Sequence, residues 1–239
     1  GKRNRSDIAA AMAHAGISLP VLMDDAQLVG EALGLSVSGE VVVFDPKRFS
    51  VIARGFGEQA LPVVSELLAA LDHGADTSSA VAAVSATKPD AGGLLGQSLR
   101  YPARETHSVE TPSYINEIAP IIAENCASCH REGGIAPFAM DSHTMVLGWS
   151  PMIREVLLTK RMPPGQVDNK VGHKMKNEMN LSDMEMQKLV RWVDSGSKVD
   201  SENDPLTALT WPTDKWSLGE PDLIVKVPEQ SIPATGVVD

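Results

Sequence analysis

Cys126 and Cys129 are the only cysteines of this 239-residue chain, and they stand two residues apart with a histidine directly after, in Asn125-Cys126-Ala127-Ser128-Cys129-His130. C-x-x-C-H is the attachment signature of c-type haem. Two residues between the sulfurs match the spacing of the two haem vinyl groups, so both thiols can become thioethers. The following residue then lies under the iron, where an imidazole supplies the proximal nitrogen. Attachment consumes both thiols, so no further cysteine is needed. Three other chemistries use the same residue types. A dithiol of the thioredoxin kind sits after a strand, at a helix start, whereas this pair follows a helical segment. A zinc site needs about four ligands, usually from two such pairs, and no second pair exists. The third is a chance pair of buried thiols.

A second axial ligand is harder to read, because ten methionines offer themselves. Most recur at helical spacing, as core residues do. Met162 stands apart in Arg161-Met162-Pro163-Pro164-Gly165, between two helical segments, where the prolines fix the backbone and leave the thioether on a loop. His173 lies on the same loop and is its main rival, with His143 and Met145 behind it. A thioether ligand would raise the reduction potential relative to a second imidazole.

Three helical segments must hold these residues. The first, 111–125, can be capped by Thr111 or Ser113, and it places Tyr114, Ile115, Ile118, Ile121 and Ile122 on one face, with Pro120 predicting a kink or break. A Gly-rich loop, 131–138, leads to a second helix over 143–160, which the Met162 turn stops. Ser182 and Glu185 form a capping box at the start of the third. There Met186, Leu189, Val190 and Val193 make the predicted buried stripe and Gly196 the end.

This sequence of helix, C-x-x-C-H, loop, Met beside Pro and final helix with an aromatic resembles the class I c-type cytochromes, with Trp192 in the aromatic place. The resemblance implies that the first and last helices cross beside the haem edge. It implies that the Pro137 carbonyl accepts the second ring N–H of the proximal histidine. It also implies Arg131, Arg154 and Arg161 as candidates for pairing with the propionates.

The first 75 residues read in the order helix, strand, helix, strand, strand, helix, with 19–24, 40–45 and 50–55 as the strands. That order resembles the latter part of a thioredoxin-like (redoxin-like) domain, without its redox cysteines and with Ser38 and Gly39 where Thr-Pro is usual. The small-residue stretch that follows reads as a linker. The tail, punctuated by Pro and Gly, holds one predicted strand, 222–227. The expected fold is therefore mixed: a partial thioredoxin-like α/β domain over 1–75, a linker over 76–110, an all-α class I-like cytochrome c domain over 111–200, and an extended tail or connection over 201–239.

The formal net charge of −10 argues against nucleic acid or an anionic membrane as partner. No apolar run reaches the roughly 18 residues of a membrane span. The opening residues carry no apolar signal-peptide core, which fits either a cytoplasmic protein or a processed or truncated chain. The stretches around Cys126, Met162 and 181–196, with the tail, are similar to one further family: exported multidomain proteins in which a redoxin-like domain precedes a cytochrome c. A domain related to copper type II ascorbate-dependent monooxygenases often follows. This implies one covalent haem c, a periplasmic or extracellular location in a bacterium, and a redox partner protein or attached copper oxidoreductase domain. Gly165 stands where that family often has Trp. The expected function is single-electron transfer. The alternatives are a haem enzyme with an open sixth site, peroxidase-like in kind, and a haem-containing sensor or docking protein.

Overall fold

The structure, a computed structural model, describes residues 5–14, 16, 18, 20–48, 50–89, 96–165, 173, 175, 176, 180–211, 216, 219–229 and 231. Among them the chain is a mixed α/β protein with eight α-helices and one two-stranded sheet. In the N-terminal part, α1 (Arg5–His14) and α2 (Leu28–Ala32) precede β1 (Glu40–Asp45), β2 (Ser50–Phe56) and α3 (Gly57–Asp72). The Asp45 carboxylate accepts the N–H groups of Lys47 and Arg48 at 2.8 and 3.2 Å, which closes the turn between the strands. The strands pair antiparallel from Glu40 opposite Phe56 to Asp45 opposite Ser50, with an irregularity between Val43 and Phe44. α3 and α4 (Ser78–Ser85) pack on this hairpin and bury Val43, Ala53, Leu67 and Val84.

Two expectations for this part are corrected. The described residues of the predicted strand 19–24 form none. Instead the Asp24 carboxylate takes the N–H groups of Gly30 and Val29, at 2.7 and 3.2 Å, and turns the chain into α2. Nor is 76–110 a bare linker. Ala80, Val81 and Val84 recur at helical spacing and give α4 an apolar face, with Val84 fully buried against the hairpin. The chain then returns beside 35–38: Leu99 N–H donates to Ser36 O at 2.8 Å, and Tyr101 Oη to Leu35 O at 2.9 Å. α5 (Pro102–Val109) follows.

The C-terminal part is helical. A π-helical turn, Tyr114–Ile118, leads directly into α6 (Ala119–Asn125), and Pro120 falls just after the junction, in the first turn of α6. Ser113 caps the turn by accepting from Asn116 N–H at 3.1 Å. α7 (His143–Leu158) carries Pro151 in its interior. Proline cannot donate to Leu147 O, and the Ser150 hydroxyl supplies that bond instead at 2.9 Å. α8 (Asp183–Asp194) starts with the predicted capping box of Ser182 and Glu185. Its buried side chains are Met186, Leu189, Val190 and Trp192, so Trp192 takes the place expected of Val193, which is half-buried. A 3-10 turn, Pro205–Ala208, closes the unit with Leu206 buried.

A polar and aromatic knot joins these elements. Tyr114 is fully buried, stacks on Trp192 at 5.7 Å, and donates its hydroxyl to Asp204 at 2.7 Å. Asp204 also accepts from the backbone N–H groups of His143 and Leu206. Trp192 Nε1–H donates to Lys198 O at 2.8 Å. Lys188 pairs with Glu117 at 2.7 Å and holds that carboxyl below its ordinary range.

The two parts share one core. Ala26 and Leu28 belong to the same buried cluster as Leu189 and Trp192. Gln187 Nε2 donates to Ala26 O at 2.7 Å, and Arg191 pairs with Glu31. The predicted strand 222–227 is absent: these residues have no regular structure, and Leu223, Ile224, Val225 and Val227 are exposed. Residues 232–239 of the expected tail lie outside the described residues. Among the described residues no helix is long and apolar enough to cross a membrane.

Candidate cofactor site

The C-terminal end of α6 delivers the two cysteines. Cys126 is its C-cap residue, and the next turn is closed by Cys129 N–H and His130 N–H, both donating to Cys126 O at 3.2 and 2.9 Å. The chain then folds back on itself. Ala136 N–H donates to Cys129 O at 3.2 Å, and Met140 N–H to His130 O at 2.8 Å. Gly134 makes this return possible, because a Cβ there would lie 2.4 Å from Cys129 O. Its neighbour Gly133 has φ +67°, a conformation side chains disfavour.

A cavity of about 500 Å³ opens against this turn, within the common size of small-molecule and cofactor sites, roughly 300–1,000 Å³. Cys126, Cys129 and His130 line it from the turn after α6. Ile153, Val156 and Leu157 line it from α7, and Leu189 from α8. Met162, Pro163 and Pro164 line it from the loop after α7. That loop is fixed to the helix end by Arg161 N–H donating to Val156 O at 2.9 Å. Thus the structure brings Cys126, Cys129, His130, Pro137 and Met162 to one cavity. His173 is exposed and does not line it, and neither do His143 and Met145. His143 is committed elsewhere, with Nε2 2.7 Å from Ser197 O and its ring edge-on to Tyr114. Residues 166–172 of the loop holding Met162 and His173 lie outside the described residues.

The role given to Pro137 needs correction. The carbonyl facing His130 Nδ1 is that of Phe138, at 3.2 Å, while Pro137 contributes to the cavity wall. Met140 N–H tied to His130 O sets the loop so that the carbonyl one residue later points at the ring. A proton on Nδ1 donated to Phe138 leaves Nε2 with its lone pair, the form that binds a metal. Of the three arginines, Arg161 alone lines the cavity; it pairs with Glu155. Arg154 pairs with Asp194 at 2.7 Å, and Arg131 lies over the Trp211 ring at 5.2 Å.

The thiols are free of each other. Burial pushes the Cys126 thiol up to about 12, and the neighbouring Cys129 adds to the shift. Such a thiol stays protonated near neutral pH and is a poor nucleophile for disulfide exchange. Among the described residues no three His, Cys, Asp or Glu side chains group as a metal site. Two thiols, an imidazole and a thioether share a largely apolar wall that Asn125 and Arg161 complete, and these are the donor types that would suit a covalently held iron porphyrin.

Sequence reasoning missed Phe138, Trp149, Met140 and Met152. Phe138 stacks on Trp149, and both methionines line the cavity. Met152 and Val156, like Ile153 and Leu157, are four apart on α7, a stripe that the sequence displays. Compared with protein-family profiles, curated proteins and solved structures, the chain gives no match.

Proposed function

We propose that this chain is a mono-haem c-type cytochrome module that carries single electrons to and from a docked or attached oxidoreductase. One observation carries the reading: both cysteines and the following histidine, singled out by spacing, and Met162, singled out by its place beside two prolines between helices, line the same largely apolar cavity of about 500 Å³. Cys126 and Cys129 would hold the porphyrin through thioethers, His130 would be the proximal ligand and Met162 the sixth. Bound there, the group supplies a one-electron couple. The chain's own part would be to orient the imidazole through Phe138 O, to exclude water with the apolar side chains of Ile153, Leu157 and Leu189, and to hold the metal with His130 and Met162 so that no substrate binds it.

The same reading makes the C-terminal part a class I-like cytochrome c domain and the N-terminal part a piece of a redoxin-like domain, here packed on α8. It places the protein on the exported side of a bacterial membrane, where this attachment is made. The acidic balance favours a basic redox partner through electrostatic steering. The test is a haem-stained denaturing gel with an intact mass, on protein made in a host that matures c-type cytochromes. Stain that survives denaturation, with a mass above the 25.5 kDa polypeptide by one haem, is expected. A colourless chain at the polypeptide mass refutes the reading.

A further inference from the structure

We propose that Trp149 is a positioning residue for His130, acting through Phe138, so that α7 governs the placement of both His130 and Met162. The inference rests on the reading of His130 as an iron ligand. Phe138 holds the imidazole twice: its carbonyl lies 3.2 Å from Nδ1, and its ring packs on the imidazole at 4.5 Å with a 46° tilt. Phe138 itself sits in a stretch without helix or strand, between the backbone ties of Ala136 and Met140. What fixes its ring is Trp149, face to face at 4.1 Å and 15°. Trp149 is half-buried on α7, next to the Ser150 that repairs the helix at Pro151. The same helix ends in the loop that carries Met162. A shift of α7 therefore reaches His130 through two stacked rings and Met162 through the backbone.

The chemistry follows from the Nδ1–H bond. A well-aligned bond to a carbonyl makes the imidazole a stronger donor and fixes its plane, and both properties tune a bound metal. Removing the Trp149 face frees the Phe138 ring, lets the carbonyl drift, and leaves the imidazole several orientations of weaker donor strength.

The test uses the full chain, loaded in a competent host, read by low-temperature electron paramagnetic resonance and by redox titration. The parent is expected to give a single low-spin signal, and Trp149→Ala to split it and to raise the midpoint potential. Trp149→Phe, which restores a flat ring, is expected to bring both back toward the parent. Val146→Ala removes methyl groups from a fully buried position of α7 that does not line the cavity. It is expected to lower stability while leaving signal and potential alone. If Trp149→Ala does not fold, Phe138→Leu keeps the carbonyl, removes the ring and carries the same expectation. An unchanged signal and potential in Trp149→Ala, or the same change in Val146→Ala, overturns the proposal. A colourless parent overturns the haem reading beneath it, before any variant is compared.

Discussion

Gly133 and Gly134 are adjacent, yet alanine should act on them through different physics. At Gly134 an added Cβ would lie 2.4 Å from Cys129 O, 2.9 Å from Arg131 Cγ and 3.0 Å from Arg131 O. Two of these atoms are backbone, so neither can rotate away. The strand of chain must move out by more than half an ångström, which strains the bonds from Gly134 N–H to Arg131 O and from Ala136 N–H to Cys129 O. Overpacking of this kind costs roughly 1–3 kcal/mol, and each weakened backbone bond up to about 1 kcal/mol more. We expect Gly134→Ala to lose about 3 kcal/mol, about a hundred-fold in the folding equilibrium. At Gly133 no atom lies within 4 Å of the added Cβ, and the cost is the left-handed backbone alone, about 1–2 kcal/mol. Urea unfolding followed by circular dichroism measures both. Absorption spectra of the loaded proteins measure whether the Cys129–His130 turn has moved, which is expected for Gly134→Ala only. A Gly133→Ala as damaging as Gly134→Ala, or a Gly134→Ala within about 0.5 kcal/mol of the parent, the error of an unremarkable surface change, refutes the close-approach argument.

Met162→Ala should open the sixth position, so that the loaded protein binds added cyanide and the oxidised form loses its weak sulfur-to-iron band; an unchanged spectrum would exclude Met162 as ligand. Ser150→Ala leaves Leu147 O without the donor that Pro151 cannot provide, and thermal or urea unfolding should show a loss of about 1–2 kcal/mol. Asp204→Ala strands the buried Tyr114 hydroxyl and should cost about 2–3 kcal/mol in the same assay. Its effect should shrink in a Tyr114→Phe background, where no hydroxyl is left to strand; a full-sized loss there would exclude the coupling. Burial, reinforced by Asp204, raises the Tyr114 hydroxyl well above its ordinary range, so the unfolded chain releases that proton first. Stability from this group is whole below about pH 10 and falls as pH rises beyond it. Burial also raises Tyr101, which adds to the same slope, so Tyr114→Phe should flatten the alkaline decline in part.

The candidate site was legible where its residues stand in short consecutive motifs. The thiols, His130 and the Met162 turn are short motifs, and the Ser182–Glu185 cap states its helix locally. Helical spacing likewise fixed α7 and α8 within a few residues. What escaped was long-range. That Phe138 rather than Pro137 meets His130 depends on where Met140 anchors the loop, and its stacking on Trp149 links residues on separate elements. The linker reading weighed the small, polar composition of 76–110 above the spacing of Ala80, Val81 and Val84. The predicted strands at 19–24 and 222–227 were apolar runs, and an apolar run becomes a strand only where a partner strand is available.

The seam between α8 and residues 24–31 bears on how this protein can be cut and recombined. Ala26 and Leu28 roof the same hydrophobic interior that backs Leu189, while Gln187 and Arg191 are bonded across it to Ala26 and Glu31. Deleting the first hundred residues would therefore strip apolar cover and two polar ties from a helix that walls the cavity. A shortened chain would begin its life damaged, and a changed electron-transfer rate in it would say little about docking. The unit to transplant into another protein is the whole assembly from about residue 20 to 211, inherited together.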